Sequence, residues 1–188
     1  MFNRFTVWIA SLAILGSFLG GASQPKAQSL EAATKRAPFV QMLTEVPVQS
    51  AENFLADIEE ILFRLTNEER QRAGLPALEH SELMAQYARI KSQDMGDRNY
   101  FGHGDPDGRL MQSRLDDDGV DYTVWGENLA MLGGYELSDE ELAKMFMTNW
   151  MNSESHRANI LSPDFAQVGI GVYKSGTRFY ATQEFMTP

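Results

Sequence analysis

Apolar residues recur at helical spacing in the first half of the chain and predict two long helices. The first follows Ser50, a residue type that favours helix N-caps, and Gly74 is placed to end it. The second begins near Ser81 and ends before Asn99. The apolar positions of the first helix are Phe54, Leu55, Ile58, Ile61, Leu62 and Leu65. The buried side expected for the second consists of Leu83, Met84, Tyr87, Ala88 and Met95.

Two further helical patterns follow. Pro106 suits a first helical turn, so a short third helix is predicted to run from there to Asp118 and to stop at Gly119. Ser138 and Glu141 have the spacing of a capping box, which predicts the start of a fourth helix. The apolar stripe of the fourth helix is Leu142, Met145, Phe146 and Trp150.

The hydrophobic period changes to two near the C-terminus. Two alternating runs flank a turn at 174–177 and predict a β-hairpin, and another strand is expected around 122–130. The alternating positions are Val168, Ile170 and Val172, followed by Phe179, Ala181, Gln183 and Phe185. Because helices precede strands, the pattern predicts an α+β domain whose antiparallel sheet is covered by helices.

The N-terminus has the layout of a secretory signal peptide. Arg4 precedes an apolar run at 5–20, and small and polar residues follow. We predict a signal peptide at 1–23, with cleavage between residues 23 and 28; an uncleaved anchor is the alternative. The segment 24–52 lacks periodicity and is interpreted as a linker or tether, which leaves a folded domain at 53–188. A secreted or periplasmic protein is expected, with no membrane span in the mature chain.

Composition narrows the function classes. The chain has no cysteine, so it contains neither a disulfide nor a lipoprotein modification site, and its core must be held by burial alone. The formal net charge of −10 disfavours nucleic acid as a partner. An acidic surface is ordinary for a soluble exported domain, so the charge does not by itself indicate a cationic substrate.

Three residues are candidates for chemistry. His103 lies between two glycines, which let a ligand approach the backbone, although an exposed histidine in a turn fits the same residues. Glu127 is embedded among aromatic and aliphatic residues and needs partners, as a structural acid or as a ligand. With His156, two imidazoles and a carboxylate suit a divalent cation such as Zn²⁺ with an open position for water.

Several short motifs occur in one order along the chain. They include Asn-Glu-Glu-Arg at 67–70, Gly-Glu-Asn-Leu-Ala at 126–130, the segment 150–161 and Tyr-Ala-Thr-Gln-Glu-Phe at 180–185. On these motifs the chain resembles a bacterial member of the CAP superfamily, which comprises the cysteine-rich secretory, antigen 5 and pathogenesis-related 1 proteins with their SCP domain. The resemblance covers 55–186 and implies a three-layer α-β-α sandwich.

The resemblance also implies a cleft with two histidines and two acids, and metal binding is associated with those histidines. His103, Glu127 and His156 match three of the four positions. Ser153 stands where the second acid is found in the animal and plant branches. Glu154 is adjacent, and it either replaces that acid or is an exposed residue in the first turn of a helix. We favour the exposed position, since a glutamate is favourable at a helix N-terminus without any ligand.

Other residues of the matched segments are given structural roles. Arg157 is expected to clamp a carboxylate, and the same role is expected for Arg70 and Arg114. Asn159 is expected to hold loop backbone groups. The third histidine, His80, is expected to be exposed near the start of a helix. Three aromatic residues could line a ligand groove, but core positions are favoured for them: Phe101, Trp125 and Trp150.

These features leave three functional hypotheses. The first is an exported binding module for a lipid, a small apolar ligand or a cell-envelope component. The second is a metal-dependent hydrolase or peptidase in which Glu127 orients or deprotonates a metal-bound water. The third is a structural domain in which histidine and glutamate bond to each other with no ion. The chain has no His-Glu-x-x-His motif, Gly-x-Ser-x-Gly motif or thiol, which favours binding over catalysis.

Overall fold

A computed structural model describes residues 55–134 and 136–188 of the chain. The predicted signal peptide, the predicted linker and the predicted N-cap Ser50 lie outside these residues. The described part contains five helices and four strands. In chain order they are α1 (Ala56–Arg72), β1 (Glu79–His80), α2 (Glu82–Asp97), α3 (Met111–Asp118), β2 (Val124–Gly133), α4 (Asp139–Asn152), α5 (Glu154–Ile160), β3 (Gln167–Ser175) and β4 (Arg178–Thr187).

The four strands form one sheet in the order β1-β3-β4-β2. The predicted hairpin is present as β3 and β4, and β2 pairs antiparallel with β4 along its whole length. The expected antiparallel sheet consists of β2, β4 and β3, and the short β1 adds to its edge by pairing parallel with β3. Between β1 and β3 the chain passes through α2, α3, β2, α4 and α5, and β3 then runs beside β1 in the same direction, which makes the sheet mixed.

Helices cover both faces of the sheet, as the α+β sandwich requires. Strand β2 shows the division, because its alternate residues belong to different apolar clusters. Ala130 and Leu132 pack with residues of α1, α4 and α5, whereas Leu129 packs with Met95 of α2. A third cluster joins α2 to α3 through Met84 and Leu115. Both faces of β2 and β4 are therefore buried, so polar residues on either face lie in the interior.

Two glycines of β3 let α2 lie directly against the sheet. A Cβ atom on Gly169 would overlap the main chain of α2 at Met84 and Ala85. A Cβ atom on Gly171 would overlap the next turn of the same helix, at Ala88 and Arg89. Glycine is required at both positions because backbone approaches backbone without room for a side chain.

Most predicted helix boundaries agree with the structure. Gly74 follows α1 with a φ of 74°, and the amides of Gly74 and Leu75 bond to the carbonyls of Gln71 and Arg70. Ser81 caps α2, and Ser138 forms the predicted capping box at the start of α4. The first helix, however, begins at Ala56 with Leu55 as its N-cap, later than the pattern predicted.

The predicted start of the third helix is wrong. Asp105 instead organises a turn, because its side chain accepts hydrogen bonds from the amides of Asp107 and Arg109. Helix α3 therefore begins only at Met111. The assignment of Leu83 to the buried side of α2 is also wrong, since this residue is 37% exposed. No helix in the described part of the chain is both long and apolar enough to cross a membrane.

Candidate functional site

His103 and Glu127 are brought together by the fold. His103 lies in the loop between α2 and α3, and Glu127 lies on β2 with a side chain that is 1% exposed. His103 Nδ1 and Glu127 Oε1 share a hydrogen bond. An ionised carboxylate only accepts hydrogen bonds, so with Glu127 ionised the proton is carried by His103 Nδ1. The carboxylate thereby fixes the orientation of the imidazole ring.

A second buried acid faces Glu127 and was missed by the sequence-based prediction. Glu184 on β4 is the cross-strand neighbour of Glu127 and is fully buried. Trp125 Nε1 donates to Glu184 Oε2 at 2.8 Å. Burial, followed by the charge of Glu127, raises the pKa of Glu184 well above its usual range. Of the two acids, Glu184 is therefore the one whose protonated form this buried position favours.

The hydrophobic pattern contained a signal for Glu184. The predicted hairpin placed Phe179, Ala181, Gln183 and Phe185 on one face of the strand, which puts Glu184 on the other. In a sheet covered on both faces, that second face is buried too. A hairpin covered on both faces therefore buries Glu184 as well as the apolar stripe.

His156 approaches the same strand from the side of α5. Its side chain is buried, and its main-chain carbonyl accepts a hydrogen bond from Asn128 Nδ2 at 3.0 Å. Asn159 Nδ2 bonds to Asn128 Oδ1 at 2.9 Å and to the Glu127 carbonyl at 3.3 Å. Asn159 was expected to hold loop backbone groups, and it instead holds a main-chain carbonyl of strand β2. These bonds fix α5 to β2 at Glu127 and Asn128.

A divalent cation would find part of the donor set that it needs. His103 Nε2 is buried and has no hydrogen-bond partner within the described residues, while Nδ1 is held by Glu127. Metal-binding histidines typically bind through one nitrogen while a carboxylate orients the other. Across the described ranges, however, no three His, Cys, Asp or Glu side chains are grouped so that they could hold a metal ion. Metal binding by His103, His156 and Glu127 stays a prediction.

Ser153 and Glu154 occupy the start of α5. Ser153 is its N-cap residue, and its hydroxyl lies 3.3 Å from that of Ser155. Glu154 is exposed in the first turn of the helix, the position that we favoured for it. This exposure does not fit a role for Glu154 as a replacement acid inside the site.

The expected arginine–carboxylate clamps are wrong at two positions. Arg157 is exposed and donates to the Met151 carbonyl at 2.8 Å. Arg70 is buried and donates to three main-chain carbonyls instead of a carboxylate. Buried carbonyls at helix and loop ends need donors, and a guanidinium has five of them. His80 is exposed as expected, with Phe63 in edge contact at 5.4 Å.

An open cavity of about 360 Å³ lies beside the His103 loop. Four of its lining residues are aromatic or thioether side chains, and Asn99 and Arg178 complete it. These four are Tyr100, Phe101, Met131 and Tyr180. Of the three aromatic residues considered from sequence, Phe101 is half-buried and lines this cavity, whereas Trp125 and Trp150 are buried in the core.

The cavity lies on the same face of the sheet as the acid pair. Residues alternate between the two faces of a strand, so Glu127, Leu129 and Met131 lie on one face of β2. Their partners on β4 are Glu184, Thr182 and Tyr180. The acids and the cavity are therefore four residues apart along the same side of the sheet.

The family model of the cysteine-rich secretory protein family, CAP, matches residues 63–185, which contain the paired acids, both site histidines and the cavity. The chain belongs to the CAP family. Its CAP domain is 39% identical over 137 residues to the uncharacterized protein YkwD of Bacillus subtilis, an alignment that covers 73% of this chain and 50% of YkwD. The chain thus spans about half the length of this relative.

Solved structures share the fold of this CAP domain. An extracellular protein of Bacillus anthracis that contains an SCP domain is 32% identical with a TM-score of 0.59, over 71% of this chain and 41% of that protein. An outer surface protein of Borrelia burgdorferi has a TM-score of 0.60 at 19% identity, over 70% of this chain and 92% of that protein. The second likeness concerns the fold alone. The α+β sandwich expected from the resemblance is confirmed.

Proposed function

We propose that this CAP domain is an exported module that binds a small apolar ligand, or one end of a lipid, in the cavity beside His103. The cavity is the observation that carries the proposal, because four aromatic and thioether side chains line it. Ligand sites in proteins commonly have volumes of about 300–1,000 Å³ and combine apolar walls with a few polar groups. A volume of about 360 Å³ suits a small ligand or part of an acyl chain.

The site offers a polar anchor near this cavity. His103 Nε2 is buried without a hydrogen-bond partner in the described part of the chain. A buried polar atom without a partner carries a cost, which a ligand hydroxyl would remove by donating a hydrogen bond to Nε2. We therefore propose that the apolar part of the ligand lies along Phe101 and Met131 and that its polar end points towards His103.

Export to the cell envelope or the medium is part of the proposal. It is supported by the signal-peptide pattern at 1–23 and by the similarity to an extracellular protein of B. anthracis. A cell-envelope component is the alternative occupant of the site. Native mass spectrometry of protein purified from its own host would detect either occupant, and the mass of the chain would report cleavage between residues 23 and 28.

A cavity-filling variant tests the binding role. Met131→Trp places a large ring in the cavity and should weaken binding of a pyrene-labelled fatty acid by about tenfold or more, as judged by fluorescence titration. Leu83→Trp adds the same ring at an exposed position of α2 and serves as the control. If Met131→Trp binds this probe as tightly as the wild type, the cavity is not the binding site.

A metal-dependent hydrolase is the second candidate, favoured by the carboxylate that orients the His103 imidazole. His103 and His156 would hold the cation, which would lower the pKa of a bound water. Glu127 would keep the His103 ring in place. The three-ligand grouping typical of such sites is not present among the described residues, which ranks this candidate below ligand binding.

Zinc calorimetry tests the metal site and is done at about pH 7.5, because neutral imidazole is the ligand form of histidine. The double variant His103→Ala, His156→Ala should lose zinc binding, whereas His80→Ala, at the exposed third histidine, should keep it. An identical isotherm for the wild type and the double variant removes the metal site. Absence of both zinc binding and probe binding would leave the structural alternative, in which the His103–Glu127 bond only braces the domain.

A further inference from the structure

Lys91 is a buried lysine close to the His103–Glu127 pair. It lies on α2 and is 2% exposed, although lysine is rarely buried unless it is paired. Its Nζ donates to the His103 carbonyl at 2.6 Å and to Tyr100 Oη at 3.3 Å. The ammonium group also lies 5.2 Å from the centroid of the Tyr100 ring. Lys91 thus contacts the main chain of the residue whose imidazole meets Glu127.

A second bond to α2 holds the part of the loop that precedes His103. Tyr100 Oη donates to Asp94 Oδ2 at 2.6 Å, and Asp94 lies one turn after Lys91 on α2. On the C-terminal side, Asp105 closes its turn through the amides of Asp107 and Arg109. Between the Tyr100–Asp94 bond and the Asp105 turn, the loop is also held at His103, where Lys91 donates to the main-chain carbonyl.

The position of Lys91 also suits the charge of the acid pair. Glu127 and Glu184 are buried, and ionised buried carboxylates need a compensating charge nearby. Burial and Glu127 raise the pKa of Glu184, and the positive charge of Lys91 acts in the opposite direction. The same charge helps to lower the pKa of Asp105, behind the larger effect of its bond from the Arg109 amide. The ammonium therefore stabilises negative charge on both sides of the His103 loop.

We propose that Lys91 is a positioning residue of the His103–Glu127 site, which holds the main-chain carbonyl of His103 so that its imidazole meets Glu127. The inference rests on the proposed function in one respect, namely that the oriented ring serves a ligand. A lysine with a structural role only would contribute to stability without affecting the His103–Glu127 bond.

The proton between His103 and Glu127 gives a direct signal of this positioning. A downfield proton resonance in the NMR spectrum, assigned by its absence in His103→Ala, reports the bond without any ligand. We expect Lys91→Met, which is close to lysine in shape, to lose this resonance or to broaden it beyond detection. Lys174→Met is the matched control, because Lys174 also lies 5.2 Å from an aromatic ring, that of Phe179, but is exposed. A folded Lys91→Met protein with an unchanged resonance overturns the proposal.

The absence of cysteine from the chain allows a second test in case Lys91→Met does not fold. Lys91→Cys can be alkylated in denaturant with bromoethylamine, which rebuilds a lysine-like side chain with sulfur in place of one methylene, and then refolded. Alkylation with bromoethane gives a nearly isosteric side chain without the ammonium. We expect the resonance only in the aminoethylated protein. Its presence in both proteins, or its absence from a folded aminoethylated protein, contradicts the proposal.

Binding of the pyrene-labelled fatty acid separates this inference from the proposed function. If both hold, Lys91→Met and the ethylated protein should bind the probe about tenfold more weakly, and aminoethylation should restore the affinity. If the resonance depends on the Lys91 ammonium but probe binding does not, Lys91 positions His103 and the binding role of the ring is wrong. If neither depends on Lys91, the positioning role itself is wrong.

Discussion

Glu127 and Glu184 face each other across two strands with almost no exposure to water. Two ionised carboxylates at such a place would repel each other and lose their hydration, so the pair retains one proton. Burial and the charge of Glu127 raise the pKa of Glu184, which favours the protonated form of that carboxyl. His103 and Lys91 face the pair from the loop and from α2.

The variant Glu184→Gln should remove a pH dependence of stability. Above the reference value of 4.5, unfolding releases a proton that folded Glu184 retains, so the free energy of unfolding falls as pH rises towards the raised folded pKa. Glutamine cannot titrate, yet it can accept from Trp125 and donate to Glu127. Urea unfolding should therefore find the variant more stable than the wild type at about pH 8, by more than about 1 kcal/mol, since one pKa unit corresponds to about 1.36 kcal/mol.

Near pH 4 this difference should disappear, because Glu184 is protonated in folded and unfolded wild type alike. Glu154→Gln, at an exposed position of α5, is the control and should retain the wild-type pH profile. A Glu184→Gln protein that is destabilised equally at about pH 4 and about pH 8 would mean that the two acids do not share a proton.

At the scale of elements, the sequence predicted those helix ends and turns that local chemistry determines. The capping residues Ser81 and Ser138, the left-handed Gly74 and the β3–β4 hairpin all follow from local hydrogen-bonding or φ requirements. Pro106 was misassigned because the Asp105 side chain builds a turn that competes with a helix start. Strand β1 was missed because two residues have no detectable period, and only pairing with β3 makes them a strand.

The candidate site was predicted only in part, because local sequence signals identify some of its residues and tertiary packing determines the others. His103 and Glu127 were found because their types and neighbours indicated chemistry, and the fold joins them. Glu184 and Lys91 were missed because a position on a strand or helix does not indicate what packs against it. Both are interior residues because α2 packs on the second face of the sheet. Burial on that face is a tertiary property that no single element encodes.

The contact of α2 with β3 predicts a steep cost for adding one methyl group. Gly171→Ala would force its Cβ into the α2 main chain at Arg89, so either the helix must shift or the strand must bend. We expect a loss of at least about 1–3 kcal/mol in the free energy of unfolding, the usual range for overpacking. Thermal and urea unfolding of the purified variant measure it.

Gly133→Ala is the matched control on the neighbouring strand β2. A Cβ atom there would lie 3.4 Å from Arg178 Cγ, which is an ordinary contact with a flexible side chain. Its stability should stay within about 0.5 kcal/mol of the wild type, as for most surface substitutions. Equal losses for the two alanine variants would show that close packing at Gly171 does not determine the approach of α2.

At the scale of the whole molecule, Arg70 connects segments that are distant in sequence. It is 0% exposed, and its guanidinium donates to the carbonyls of Pro76, Ile160 and Ser162 at 2.7–2.9 Å. One residue therefore fixes the end of α1, the loop before β1 and the end of α5. In a domain without disulfides these bonds serve the purpose of a cross-link, because they hold the helix that carries His156 to the first helix.

Arg70→Met should therefore destabilise the domain strongly. It removes a charged donor from three carbonyls and leaves them buried, and hydrogen bonds to charged groups contribute about 1.5–3 kcal/mol each. We expect the free energy of unfolding to fall by more than about 3 kcal/mol in urea titrations. Arg70→Lys should recover only part of this loss, because an ammonium group lacks the planar fork that reaches three acceptors.

Arg72→Met is the control two residues away on α1. Arg72 is exposed and pairs with Glu68 and Glu69, so its loss should lower the free energy of unfolding by about 1 kcal/mol at most. If the two methionine variants lose the same stability, Arg70 does not act as the link between α1 and α5.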